Sequence, residues 1–283
     1  MRPDYAGGSL VNLVASLAAA RGGKALHAPL RDFIVDSRVR NIVLFIIDGL
    51  GDNYLARRGA GSELARRRRR SLTSVFPSTT ASAITTSYTG RTPLEHGLTG
   101  WFVYFSAAGC VSAALPYRSR GDMASLTARG VDAQRIYDTP ALFGSLPVKS
   151  IVVTYREIVD SQYNRVHCQG AERIAYGTAE EFVAQLERVV KSGPERKFIY
   201  AYWPHYDAIS HRHGCESAEA AKQFAIIDAA FGELVKRVAG TETTIVATAD
   251  HGFIDVAPDE SLELPEVLFP HLKFPLCGER RIA

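Results

Sequence analysis

Three apolar segments rich in β-branched residues run almost directly into aspartates: NIVLFII (Asn41 to Ile47) into Asp48, KFIYAYW (Lys197 to Trp203) towards Asp207, and TTIVAT (Thr243 to Thr248) towards Asp250 and His251. A short continuous apolar run bounded by turn or helix signals is the pattern of a strand buried on both faces, as in a parallel sheet. Ser150 to Thr154 (SIVVT) predicts a fourth strand, preceded by a helix-like stretch at Pro140 to Ser145. Apolar residues three and four apart predict helices over Thr178 to Lys191 and Ser217 to Val238. Strands alternating with helices predict an α/β fold, a doubly wound and mainly parallel sheet with helices on both faces. Such sheets bind ligands beyond the carboxyl ends of their strands, and the three aspartates stand at those ends.

A chain of 283 residues that is 46% hydrophobic and 22% charged has material for a full core, and we expect one α/β domain over residues 1–283. Residues 101–135, rich in Gly, Ser, Ala and aromatics without a sustained period, read as an irregular cap segment within it. The formal charge of +3 includes a run of arginines, Arg66 to Arg70, without interleaved aromatics. That run reads as a solvated helix end, and no nucleic-acid partner is expected. No stretch is long enough for a transmembrane helix, so no membrane partner is expected. Leu10 to Ala20 faintly resembles the core of a secretory leader, but Asn12 interrupts it and it reads as a helix of the mature chain. Cys110, Cys168, Cys215 and Cys277 are widely separated and form no CxxC pair, which argues against a disulfide framework or a thiolate zinc site. A reducing, cytoplasmic location is the simpler expectation.

A lone aspartate after a strand is usually a helix cap or a turn former. Three together, two of them with histidines nearby, point to a metal site. Asp207 and His211 are four apart, so a helical turn places both on one face, while Asp250 and His251 can diverge around a strand-end loop to reach one ion. Mixed aspartate and histidine ligands suit zinc and tolerate manganese or iron. His205 and His213 lack that spacing and read as ordinary surface histidines.

The segment Phe76-Pro77-Ser78-Thr79-Thr80 precedes a small-residue helix candidate, Ala81 to Thr89. A hydroxyl at a helix start is most often only a cap. Free backbone N–H groups there also favour an anion, so a phosphoryl group would be held where a hydroxyl can attack it. A threonine hydroxyl needs a base or a metal for that task, and paired cations would meet the need.

IIDGLG, FPSTTAS with TGRTPLEHG, YDAISHRHG and TADHG, in this order from Asp48 to Gly252, closely resemble the motifs of the alkaline phosphatase superfamily, in particular its type I phosphodiesterase and nucleotide pyrophosphatase branch. The resemblance implies two divalent metal ions, zinc first and manganese or iron as alternatives. Asp48, Asp250 and His251 would hold one ion that also contacts the nucleophile, and Asp207 with His211 would hold the other. It selects Thr80, three residues after the proline, as nucleophile over Thr79 and Ser78. His96, in the matching LEHG turn, would be structural.

What the resemblance implies about activity is hydrolysis of phosphodiester or pyrophosphate bonds in a small-molecule phosphate ester, through a phospho-Thr80 intermediate. The same core serves phosphomonoesterases, phosphonate hydrolases and phosphomutases, and a catalytically inactive metal- or anion-binding module is the alternative from another class. Three departures bear on this. Nucleotide-cleaving members carry an aromatic where this chain has Ala81, and an asparagine where it has the stretch Leu98-Thr99-Gly100-Trp101. Members also complete one site with a third histidine far downstream. His271 is the sole histidine after His251 and lies in the apolar segment FPHLKFP, so the role is not transferred to it. We expect that ligand beyond Ala283, and weak metal binding at Asp207 and His211 without it.

Overall fold

The structure, a computed structural model, describes residues 2–260 and 264–278. Its strands are β1 (Asn41–Ile47), β2 (Phe102–Phe105), β3 (Cys110–Ala113), β4 (Arg118–Ser119), β5 (Lys149–Tyr155), β6 (Ala171–Tyr176), β7 (Lys197–Trp203) and β8 (Thr243–Thr248). Five of them form one sheet in the order β6-β5-β7-β1-β8, and every pairing in it is parallel. β1 therefore lies between β7 and β8, and the three strands that lead into aspartates are neighbours.

At its centre the sheet is buried on both faces, which is why β1 is apolar from Ile42 to Ile47. Ile42, Leu44 and Ile46 enter the core beneath the helices Leu10–Ala20 and Thr80–Thr89, while Val43, Phe45 and Ile47 enter the core beneath Ala179–Lys191 and Ala218–Arg237. Alternate residues of a strand face opposite sides, so a fully apolar strand requires a layer of helices on each. The α/β fold expected from the sequence is the one observed.

β1, β7 and β8 have the bounds read from the sequence, β5 is one residue longer at each end, and the two periodic helices begin after the caps Thr178 and Ser217. Leu10–Ala20 is a buried helix, and Asn12 closes its first turn by accepting from the backbone N–H of Ser9 at 3.0 Å. The helix-like reading of Pro140 to Ser145 needs correction: only a 3-10 turn forms there, Phe143–Ser145. Gly144 lowers helix propensity and Leu146, which precedes Pro147, is extended at ψ 129°, so the stretch is too short to sustain an α-helix. β6 was not legible in the sequence because it is an edge strand whose residues alternate between buried and exposed, with Glu172 paired to Lys149 on the neighbouring strand.

The segment read as irregular contains a small antiparallel sheet, β2-β3-β4. Its strands are too short to show a period, yet Phe105, Tyr117 and Leu126 join the core beneath Leu10–Ala20. Arg66 and Arg67 pair with Glu63 and Arg68 pairs with Asp52, all at the surface, in keeping with a solvated helix end. Among the described residues no helix is long and apolar enough to cross a membrane.

Candidate metal centre and nucleophile

The carboxyl edge of the sheet gathers the polar groups. Asp48 follows the last residue of β1 and its backbone N–H donates to the Trp203 carbonyl at 2.9 Å, extending the parallel ladder by one step. Gly49 then turns the chain with φ +73°, a conformation that favours glycine. Its N–H donates to Asp250 Oδ1 at 3.0 Å, so the loop after β1 is tied to the loop after β8. Asp207 lies in the first turn of the helix His205–His213, which starts just beyond β7.

Asp48 and Asp250 each have one oxygen engaged by a neighbouring donor and the other turned towards His251. Asp250 Oδ1 accepts from the N–H groups of Gly49 and His251, at 3.0 and 2.9 Å, while its buried Oδ2 meets no hydrogen-bond donor among the described residues and lies 3.6 Å from His251 Nε2. Asp48 Oδ2 accepts a hydrogen bond from the Tyr202 hydroxyl, and Asp48 Oδ1 lies 3.3 Å from His251 Nε2. His251 Nδ1 is 3.1 Å from the Gly252 carbonyl, which fixes the ring with Nε2 facing the carboxylates. One ligand atom from each of Asp48, Asp250 and His251 falls within 4.8 Å of the others, and this is the one such cluster of three among the described residues.

The electrostatics calls for a cation. Burial, with the charge of Asp250 added, pushes the Asp48 carboxyl up to about 7. Burial alone would lower the basicity of His251, but the surrounding carboxylates of Asp250, Asp48 and Asp207 prevail and raise it well above the usual imidazole value. Closely set acids at so little exposure are unfavourable unless positive charge compensates them. The unpartnered Asp250 Oδ2 faces the position such a charge would take. The donor set of two carboxylates and one imidazole fits a divalent ion such as zinc.

Asp207 and His211 stand beside this cluster. Asp207 Oδ1 is 3.8 Å from His251 Nε2 and 3.4 Å from His211 Nε2, as their spacing on one helical face requires. Phe253 packs edge-on against the His211 ring and tilted against the His251 ring, at centroid separations of 4.9 and 5.6 Å.

Thr80 is the first residue of the helix Thr80–Thr89, with Thr79 as its extended N-cap. Its Oγ1 is 3.0 Å from His251 Nε2 and 3.3 Å from Asp48 Oδ1. All six residues picked from the sequence, Asp48, Thr80, Asp207, His211, Asp250 and His251, therefore converge on one edge of the sheet.

Other residues fall elsewhere. His96 is buried, with Nε2 3.2 Å from Thr86 Oγ1 and Nδ1 accepting from the Leu98 N–H, and burial lowers it to about 4. His205 packs on Tyr155 and Trp203, and His271 is exposed at the end of a 3-10 turn. Tyr202 is not among the residues picked from the sequence, yet its hydroxyl reaches Asp48. The available signal was its place on a strand buried on both faces, where a tyrosine hydroxyl needs a partner and the end of the adjacent strand supplies one.

The family profile of type I phosphodiesterase / nucleotide pyrophosphatase matches residues 42–272. Direct comparison with curated protein sequences finds no match. Among solved structures the fold is similar to that of murine ectonucleotide pyrophosphatase / phosphodiesterase 5, studied as an inactive threonine-to-alanine variant in complex with AMP, at 15% identity and a TM-score of 0.60 over 79% of this chain and 60% of that one. It is also similar to the human enzyme of the same name, at 17% identity and a TM-score of 0.53 over 75% and 56% of the two chains. Phosphonoacetate hydrolase from Sinorhizobium meliloti 1021, in complex with phosphonoformate, matches at 17% identity and a TM-score of 0.51 over 76% and 57%. The chain thus spans about 60% of the length of the first of these relatives.

These likenesses overturn the cytoplasmic expectation, because two of these relatives are ecto-enzymes by name. The cysteines did not bear the weight placed on them. Cys168 and Cys215 are buried, and burial pushes the Cys168 thiol up to about 12, so such thiols stay inert without a reducing compartment. With the profile covering most of its length and the ordered motifs meeting at one edge of the sheet, the chain belongs to the type I phosphodiesterase / nucleotide pyrophosphatase family.

Proposed function

We propose that the protein is a metal-dependent hydrolase of phosphodiester or pyrophosphate bonds in small-molecule phosphate esters, with Thr80 as nucleophile. The observation that carries this reading is the position of Thr80 Oγ1, 3.0 Å from His251 Nε2 and 3.3 Å from Asp48 Oδ1 at the first position of a helix. One divalent cation would be held by Asp48, Asp250 and His251 and a second by Asp207 and His211, zinc by the nature of the donors. When bound, such ions supply Lewis acidity at the attacking and leaving oxygens.

The residues of the chain perform the rest. The start of the helix Thr80–Thr89 offers N–H groups and a positive dipole end to a phosphoryl group, which holds phosphorus in front of the Thr80 hydroxyl. Thr80 Oγ attacks phosphorus, the ester oxygen leaves with its electron pair and takes a proton, and a phospho-Thr80 ester remains. Water then attacks that phosphorus, the Oγ–P bond breaks, and the threonine regains its proton. Each displacement inverts phosphorus, so the net outcome is retention. The murine relative whose threonine-to-alanine variant is inactive supports a threonine in this role.

One observation favours a second reading on the same core, cleavage of phosphomonoesters or phosphonates. Ala81, next to Thr80, is fully buried, so that position offers no ring to stack on a nucleobase. The similar fold of a phosphonoacetate hydrolase is in keeping with it.

Turnover of bis-p-nitrophenyl phosphate and p-nitrophenyl phosphate with added zinc or manganese separates the two readings, and a strong preference for the monoester would reject the first. Thr80→Ala is expected to lower turnover by about a thousandfold or more while zinc is retained. Unchanged turnover in that variant would exclude Thr80 as the nucleophile, and a wild type that binds zinc without turnover would leave only an inactive metal- or anion-binding module.

A further inference from the structure

We propose that Tyr202 is a positioning residue that fixes which oxygen of Asp48 is presented to the metal and to Thr80; this rests on the reading of Asp48 as a metal ligand. A carboxylate at the end of a strand rotates easily about its last bond, because that torsion has broad, two-fold preferences. It can then offer either oxygen, or both, to an ion. Asp250 is restrained by the two backbone N–H groups that hold its Oδ1. For Asp48 the restraint is a side chain, the Tyr202 hydroxyl donating to Oδ2. Oδ1 is then the oxygen that faces Thr80 Oγ1 and His251 Nε2, each at 3.3 Å.

The fold places this hydroxyl with little freedom. Tyr200 and Tyr202 are two apart on β7 and enter the same core as Leu44 and Ile46 of β1, one face of the sheet. Ile46 is the register partner of Tyr202, so Asp48 lies two residues beyond that pair on the adjacent strand. Tyr200 spends its hydroxyl on Ser87 Oγ at 2.7 Å, within the helix that begins with Thr80. Phenylalanine at either position would pack equally well. What distinguishes Tyr202 is that its polar end meets a proposed ligand, and groups that orient ligating carboxylates are commonly worth about ten- to a hundredfold in metal affinity.

The test compares zinc binding to the wild type, Tyr202→Phe and Tyr200→Phe by competition with a chromophoric chelator, together with the visible spectrum of the cobalt-loaded proteins. Tyr202→Phe should weaken zinc binding about ten- to a hundredfold and alter the cobalt spectrum. Tyr200→Phe, which also loses a buried hydroxyl, should stay within about threefold of wild type. Equal affinity and identical cobalt spectra in wild type and Tyr202→Phe would overturn the role of Tyr202 while leaving the hydrolase reading intact. A wild type that binds no zinc would overturn the hydrolase reading, and this inference with it. Zinc titration of the wild type should also give a tyrosine ultraviolet difference band, and its absence overturns the inference even if Tyr202→Phe fails to fold.

Discussion

Gly51 and Gly252 meet backbone to backbone: a Cβ added to Gly51 would stand 2.6 Å from the Cα of Gly252. This contact brings the loop after β1, which bears Asp48, against the loop after β8, which bears Asp250 and His251. Gly51 has φ −65°, so the need for glycine there is steric and not conformational. Gly51→Ala is therefore expected to push the loops apart, at a cost of about 1 to 3 kcal/mol as for other overpacked sites. Thermal unfolding measures that loss and zinc content measures the damage to the cluster; a variant with wild-type values in both would show that the loops have slack.

Metal removal should be felt as lost stability as well as lost turnover. Dialysis against a chelator leaves the buried carboxylates of Asp48 and Asp250 beside His251 without the bound metal. A ligand that binds only the folded state at about a hundred times its Kd adds about 3 kcal/mol. The melting temperature should fall on chelation and recover on adding zinc, and an unchanged melting curve would count against a site of that strength.

Acid sensitivity is expected from two buried neutral histidines. Burial lowers His96 and His167 from 6.5 to about 4 each. Between those values the unfolded chain takes up protons that the folded protein does not, so their contribution is present above pH 6.5 and is lost as pH falls towards 4. The full window corresponds to about 3 kcal/mol per histidine. The ring of His167 lies against those of Tyr163, Tyr137 and Tyr88, with centroids 4.2, 5.0 and 6.3 Å away, and phenylalanine can occupy the same space. Urea unfolding from pH 4 to 7 should show a shallower acid slope for His167→Phe than for wild type. Identical slopes would mean that His167 is protonated in the folded state.

Asp255 joins the segment after His251 to the end of the helix that carries Asp207 and His211. Its carboxylate accepts from the N–H groups of Cys215 and Glu216, at 2.8 and 3.2 Å. Asp255→Ala is expected to weaken zinc binding several-fold with little change in melting temperature. The reverse pattern, a lower melting temperature with intact zinc affinity, would assign Asp255 to stability alone.

Of the strands that build the site, β1 and β7 were legible because burial on both faces demands long apolar runs, and β8, a half-buried edge strand, was legible through its β-branched run TTIVAT. The aspartates at their ends were legible for the same reason: a polar residue directly after such a run marks the edge of the sheet. β6 and the small sheet β2-β3-β4 were not, because an edge strand with mixed exposure and strands of four residues or fewer leave no period to read. The cysteine spacing was overinterpreted, since burial decides the reactivity of a thiol and burial is not written in the spacing.

By itself the sequence determined which side chains arrive at the carboxyl edge, because strand length and local turn chemistry act within a few residues. Only the tertiary structure decided how those side chains are oriented. The strand order that sets β1 between β7 and β8 places Tyr202 beside Asp48, the Gly49 N–H beneath Asp250 and Gly51 against Gly252. These are contacts between residues far apart in the chain, and they arise from the packing of adjacent parallel strands, which no local pattern encodes.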